Sequence, residues 1–231
     1  MFGNTPRTLE RTVKVGSPAQ ALGGDDADDS LGAWVAGAAS TGERLETLRL
    51  GDGLDDACLG EVERVRTLRC LNLMHTYALH KADFALRGCL QALRLVALSV
   101  RVDGRGQSAD EIAQTVASSP TAATLRILAV ADLVVDDRGV PRGTLTDAGL
   151  AVLCACVNLE RLLVEDATAL TARGVVAGLG RAKALRQLGL RRCFSAAFSG
   201  ASDVARAAAS ADVALLWEPR ADGAGAGKVE A

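Results

Sequence analysis

Leu185-Arg-Gln-Leu188-Gly-Leu190-Arg-Arg-Cys193 sets leucines three and then two residues apart, just ahead of a cysteine. The interval of two decides the local structure. Side chains two apart on an extended chain point to the same side, so Leu188 and Leu190 enter a core while Gly189 and Arg191 face away from it. The same L-x-x-L-x-L spacing, with Val allowed in the last place, recurs upstream at Leu45-Leu48-Leu50, Leu68-Leu71-Leu73, Leu95-Leu98-Val100, Leu125-Leu128-Val130 and Leu159-Leu162-Val164. These six units begin 23, 27, 30, 34 and 26 residues apart. Each strand then needs a return path. The apolar positions of Asp147-Ala-Gly-Leu150-Ala-Val152-Leu153 and of Arg173-Gly-Val175-Val176-Ala-Gly-Leu179 recur at helical spacing and supply it. One strand-turn-helix unit cannot bury its own apolar side, but a stack can. The spacing therefore predicts an α/β chain with six or seven short parallel strands on one side and helices on the other.

Between residues 145 and 193 the chain resembles a known family, the leucine-rich repeats of the cysteine-containing type, related to ribonuclease-inhibitor-like horseshoes and the repeat arrays of F-box proteins. Leu145-Thr146-Asp147-Ala148-Gly149-Leu150 is similar to the L-T-D-x-G-L that opens the family's helix, and Cys156-Val157-Asn158-Leu159 to its C-x-x-L. Leu188-Gly-Leu190-Arg-Arg-Cys193 matches L-x-L-x-x-C, and Leu170-Thr171-Ala172-Arg173-Gly174 repeats the helix opening with Ala in place of Asp. Elsewhere the pattern is departed from: Gly53, Thr76, Asp103, Leu133 and Ala167 stand where the family has Cys or Asn. The resemblance implies a leucine-rich-repeat solenoid, a curved horseshoe with short strands inside and helices outside. It also implies a non-enzymatic protein–protein interaction module, a scaffold subunit of a larger assembly. A runner-up within the family is the substrate-recognition component of a ubiquitin ligase, although the first 40 residues lack the apolar three-helix pattern of an F-box.

Composition agrees with a folded interaction protein. Hydrophobic residues make up 49% of the 231, too many for a disordered chain, and the net charge of -2 lacks the cationic excess of a dedicated nucleic-acid binder. Uncharged stretches fall well short of the roughly 20 residues a membrane-spanning helix needs, so no membrane insertion is expected. Six cysteines without a signal peptide fit a reducing compartment, with the cytoplasm as the default. Arg7, Arg11 and Lys14 resemble a mitochondrial presequence, but Pro6, Gly16 and Pro18 interrupt any helix there. The expected organisation is a degenerate capping repeat over 1–40 containing the acidic run Asp25-Asp26-Ala27-Asp28-Asp29, and repeats over 41–200. A closing helix (201–211) and strand (213–217, stopped by Pro219) follow in 201–220, ahead of a disordered Gly/Ala-rich tail at 221–231.

Enzymatic chemistry is thinly represented. Gly104-Arg105-Gly106-Gln107-Ser108-Ala109, between an apolar strand and a helix and followed by Asp132, outlines a dinucleotide fingerprint, so a nucleotide-binding enzyme using the Gly104–Gly106 turn is a further alternative. A leucine-rich repeat also runs strand, turn, helix, strand, so a Gly-rich repeat turn accounts for the same residues. Cys154 and Cys156, or His75 and His80, have no second pair to complete a zinc site, and no G-x-S-x-G motif is present. No cofactor, metal or catalytic residue is expected.

What remains is the side of the strands away from the core. The spacing puts Arg49, Asn72, Ser99, Ala129, Leu163 and Gly189 in one outward column, with Gly51, Met74, Arg101, Ala131, Glu165 and Arg191 beside it. Arg161, Asp166 and Arg192 concentrate charge in the last two repeats. Mixed charge around small residues suits protein contact better than phosphate binding, so the expected partner-binding residues are Arg49, Met74, Arg101, Arg161, Leu163, Glu165, Arg191 and Arg192. A second expected docking element is the insertion of repeat four, Leu133-Val-Val-Asp-Asp-Arg-Gly-Val140-Pro-Arg-Gly.

Overall fold

Alternating Leu and Val produce seven strands: β1 (Thr47–Arg49), β2 (Cys70–Leu73), β3 (Ala97–Val102), β4 (Ile127–Asp132), β5 (Arg161–Glu165), β6 (Gln187–Ser195) and β7 (Ala214–Arg220). They form one all-parallel sheet whose spatial order is the chain order, β1 through β7. Helices α1 (Asp83–Ala92), α2 (Ala109–Ser118), α3 (Asp147–Cys154), α4 (Ala172–Leu179) and α5 (Ala201–Ser210) lie in the successive connections from β2 to β7. The structure, a computed structural model, describes residues 45–50, 60–74, 83–102, 107–134, 142–195 and 200–220. The expected 1–40 cap, His75 and His80, Gly104 and Gly106, most of the repeat-four insertion and the 221–231 tail lie outside them.

The register follows the leucine spacing. Leu48, Leu71, Leu98, Leu128, Leu162 and Leu188 are direct neighbours on adjacent strands, and all are buried. Leu73, Val100, Val130, Val164 and Leu190 make the next buried column. Helices α2 to α5 pack each against the next, and their apolar sides join the sheet in one hydrophobic core.

The L-T-D-x-G-L opening acquires a physical reason here. Thr146 and Thr171 are N-caps of α3 and α4, and their hydroxyls accept from the backbone N–H groups of Ala148 and Gly174. Each threonine is itself held by the preceding helix: Thr146 donates to Asp110 through its N–H (2.8 Å) and hydroxyl (2.7 Å). Thr171 donates in the same way to Asp147, at 2.8 and 2.6 Å. The carboxylates rest against Gly149 and Gly174, where any Cβ would overlap Asp110 and Asp147 respectively. Asp in one unit, Thr and Gly in the next, form a ladder across the helix N-termini, where negative charge is favoured. It stops where Ala172 replaces the Asp: the N-cap of α5, Gly200, has no side-chain cap.

Two further devices shape the last strands. Strict alternation would turn Arg192 into the core, but the pairing of β6 with β7 shifts register between Arg191 and Ser195, and Arg192 takes a left-handed φ of 53°. Both arginines therefore reach the surface, while Cys193 and Phe194 are buried and the Phe194 ring stacks on Trp217 at 5.2 Å. The closing strand was expected over 213–217 with Pro219 as its stop; instead β7 runs from Ala214 through Pro219 to Arg220. The Ala214 N–H bonds back to Arg186, so alternate residues Leu216 and Glu218 face β6 and Pro219 faces the outer edge, where its missing N–H costs no ladder bond.

Candidate functional site

Because helices cover one side of the sheet, the other side presents the outward columns. Thr47, Cys70, Ala97, Ile127, Arg161, Gln187 and Ala214 form the first. Arg49, Asn72, Ser99, Ala129, Leu163, Gly189 and Leu216 form the second, and Arg101, Ala131, Glu165, Arg191 and Glu218 the third. Met74 follows β2 at the head of the third column, half-buried, with its N–H bonded to the Asn72 side chain at 3.0 Å.

Over β5 to β7 the charge of the third column is matched within the face. Arg191 sits between two carboxylates, donating to Glu165 at 2.8 Å and Glu218 at 2.7 Å. One step beyond, Arg192 makes a two-pronged contact with Asp166, at 2.9 and 2.8 Å, and reaches Glu165 at 3.5 Å. Asp166 also has a left-handed φ, 59°, and its N–H bonds to the Arg191 carbonyl. A left-handed non-glycine residue costs about 1–2 kcal/mol, so two facing each other are held by the fork they support. The hydrogen bond to Glu218 and the adjoining carboxylates raise the Arg191 pKa, and the Asp166 fork raises that of Arg192.

The middle of the face is apolar. Ile127 is 40% exposed and Leu216 53%, two of the few large apolar side chains in the structure left so open. Leu163 lies in the column of Leu216, on the strand next to that of Ile127, and its side chain leans over Gly189, where a Cβ would come within 2.6 Å of Leu163 Cδ1. The glycine thus lets Leu163 lie flat across β6 toward Leu216. Ile127, Leu163 and Leu216 make an apolar strip bordered by Arg161 on one side and the Glu165–Arg191–Glu218 network on the other.

Of the eight residues singled out from sequence, Arg161, Leu163, Glu165, Arg191 and Arg192 come together on β5 and β6. Arg49, on β1, is four strands from Leu163, about 19 Å at the usual strand spacing, and Met74, just after β2, and Arg101, on β3, lie toward that same end of the sheet. Ile127, Leu216 and Glu218 were missed. Ile127 occupies the outward position just before the first strand leucine, a column the L-x-x-L-x-L spacing does not mark, and β7 lacks the motif.

Reactive chemistry is scarce. Cys89, Cys154 and Cys193 have thiol pKa values pushed up to about 12 by burial, and burial also raises that of Cys156. These are poor nucleophiles and poor metal ligands near neutral pH. Among the described residues no group of His, Cys, Asp and Glu is placed to hold a metal ion, and no helix is long and apolar enough to cross a membrane. Asp132 is wholly buried, but its carboxylate accepts from the Thr144 N–H and hydroxyl and the Leu145 N–H, and so it ties α3 to the end of β4. A scan against protein-family models and a search of curated proteins gave no match to the chain.

Proposed function

We propose that the chain is a leucine-rich-repeat solenoid and serves as a non-enzymatic docking module within a larger protein assembly, its partner lying on the open sheet face over Ile127, Leu163 and Leu216. The observation that carries this reading is the exposed apolar strip, bordered by Arg161 on one side and the paired charges of Glu165, Arg191 and Glu218 on the other. Such a surface gains by removing its apolar centre from water, has few polar groups there to desolvate, and has a polar rim to fix orientation, as protein interfaces do. The sequential strand order supports the solenoid reading. A doubly wound sheet reverses its order at a switch point and carries helices on both faces. A closed barrel joins its last strand to its first, whereas among the described residues β7 pairs only with β6. Free buried thiols fit a reducing compartment such as the cytosol.

The test is the double variant Ile127→Glu/Leu216→Glu. A protein retained by the native chain in affinity purification with quantitative mass spectrometry should be lost with this variant and kept with Gln114→Lys on exposed α2. Retention by the double variant while the α2 change abolishes capture would place the interaction on the helices.

A further inference from the structure

All strands run the same way, so the segments that lead into them line one edge of the sheet. That leading edge is electrically unlike the rest of the molecule. In residues 45–46, 63–69, 93–96, 124–126, 155–160, 180–186 and 211–213, eight cations stand against four carboxylates, although the whole chain carries 26 cations and 28 carboxylates. Arg64 pairs with Glu61 and Arg126 with Glu160, both within 3.0 Å. The other six, Arg66, Arg69, Arg94, Arg181, Lys183 and Arg186, have no carboxylate within ion-pair distance among the described residues, and all are exposed. The Arg191 and Arg192 charges, by contrast, are matched by Glu165, Asp166 and Glu218. Leaving like charges side by side on one edge costs repulsion and contributes nothing to the core.

The six fall into two groups. Arg66, Arg69 and Arg94 lie where the chain enters β2 and β3, and Arg181, Lys183 and Arg186 where it enters β6. Arg66, Arg69 and Arg94 each donate one Nη to a main-chain carbonyl, of Ala92, Arg94 and Leu93. Those bonds hold the guanidinium planes and leave the remaining donors outward, an arrangement suited to carboxylates. Between the groups lies the neutralised pair Arg126–Glu160.

We propose that this leading edge binds an acidic, extended polypeptide segment of a partner protein, with acidic residues at both ends and neutral ones between. Three to four strand steps separate the groups, about 14–19 Å, which an extended chain crosses in about four to six residues. Charge complementarity selects the acid, and the gap selects the polypeptide. A nucleic acid carries a phosphate at every nucleotide and would set one against Glu160, and no aromatic side chain stands among these segments to stack a base. This surface is separate from the apolar strip and stands whether or not that strip docks a partner.

The probe is a fluorescein-labelled peptide with two glutamate pairs separated by three neutral residues, followed by anisotropy with the full chain. Binding should weaken at least tenfold between 50 and 300 mM salt, on the order expected when several exposed charges are screened. Arg181→Glu/Lys183→Glu/Arg186→Glu should weaken it at least tenfold, while Arg142→Glu, outside this edge, leaves it within twofold. The neutral Arg181→Gln/Lys183→Gln pair, which avoids charge reversal, should give an intermediate loss if the triple variant fails to fold. No binding by the native chain, salt-independent binding, native-like binding by the folded variants, or tighter binding of a single-stranded oligonucleotide of equal charge would each overturn the proposal.

Discussion

Gly174 shows how a single residue can be required by a neighbour in another repeat. A Cβ there overlaps the Asp147 carboxylate that holds Thr171. Gly174→Ala should therefore destabilise by about 1–3 kcal/mol, as overpacking does, and Asp147→Ala by a similar about 1–3 kcal/mol through lost bonds to the cap. The double variant should be no worse than Asp147→Ala alone. With the carboxylate gone, alanine in place of a helical glycine gains about 0.5–1 kcal/mol. Urea unfolding of the four proteins measures the coupling, and simple additivity would show that the contact does not matter. Asp132 offers a second residue-scale test. Burial raises its folded pKa, outweighing the three hydrogen bonds that favour the charge. A raised carboxyl binds its proton more tightly folded than unfolded, so its stabilising contribution is present below about pH 4 and is lost as pH climbs through the raised value. Relative to Asp132→Asn, the native chain should lose stability between pH 4 and pH 7, which paired unfolding curves at the two pH values would reveal.

At the scale of the element, neighbouring positions on one strand belong to different environments. Leu162, 1% exposed, touches Leu128 and Leu188 in the buried column, so Leu162→Ala should cost about 2–5 kcal/mol by leaving a cavity. Ile127→Ala, on an open position, should cost well under half of that, and equal losses in thermal unfolding would mean the open face is packed. The bulge in β6 makes its own prediction. Arg192→Glu would set a third carboxylate beside Glu165 and Asp166 at a left-handed backbone position, and it should lower the melting temperature, with the loss shrinking as salt rises. The three thiols raised to about 12 should react with a thiol reagent only as fast as the native state opens; site-resolved mass spectrometry showing rapid native labelling of Cys193 would contradict that placement.

For the whole molecule, stacking order turns local patterns into surfaces: a buried apolar core, an open face with an apolar strip, and a basic leading edge. The leucine spacing alone determined the first six strands, which side of each is buried, their parallel direction and their register, because a period of two and a fixed return path leave few other ways to bury the leucines. The threonine caps were legible as motifs for the same local reason. Tertiary structure decided what depends on which strands are neighbours. Arg191 and Arg192, outward in sequence and expected to await a partner, meet Glu165, Glu218 and Asp166 across adjacent strands. Ile127 and Leu216, some ninety residues apart, share one strip only because β4 to β7 lie in chain order, and Pro219 continues a strand only because its ring faces the outer edge. Spacing along a chain is set by local geometry, whereas the pairing of charges and the joining of apolar side chains into a patch are properties of distances between units, which no single repeat contains.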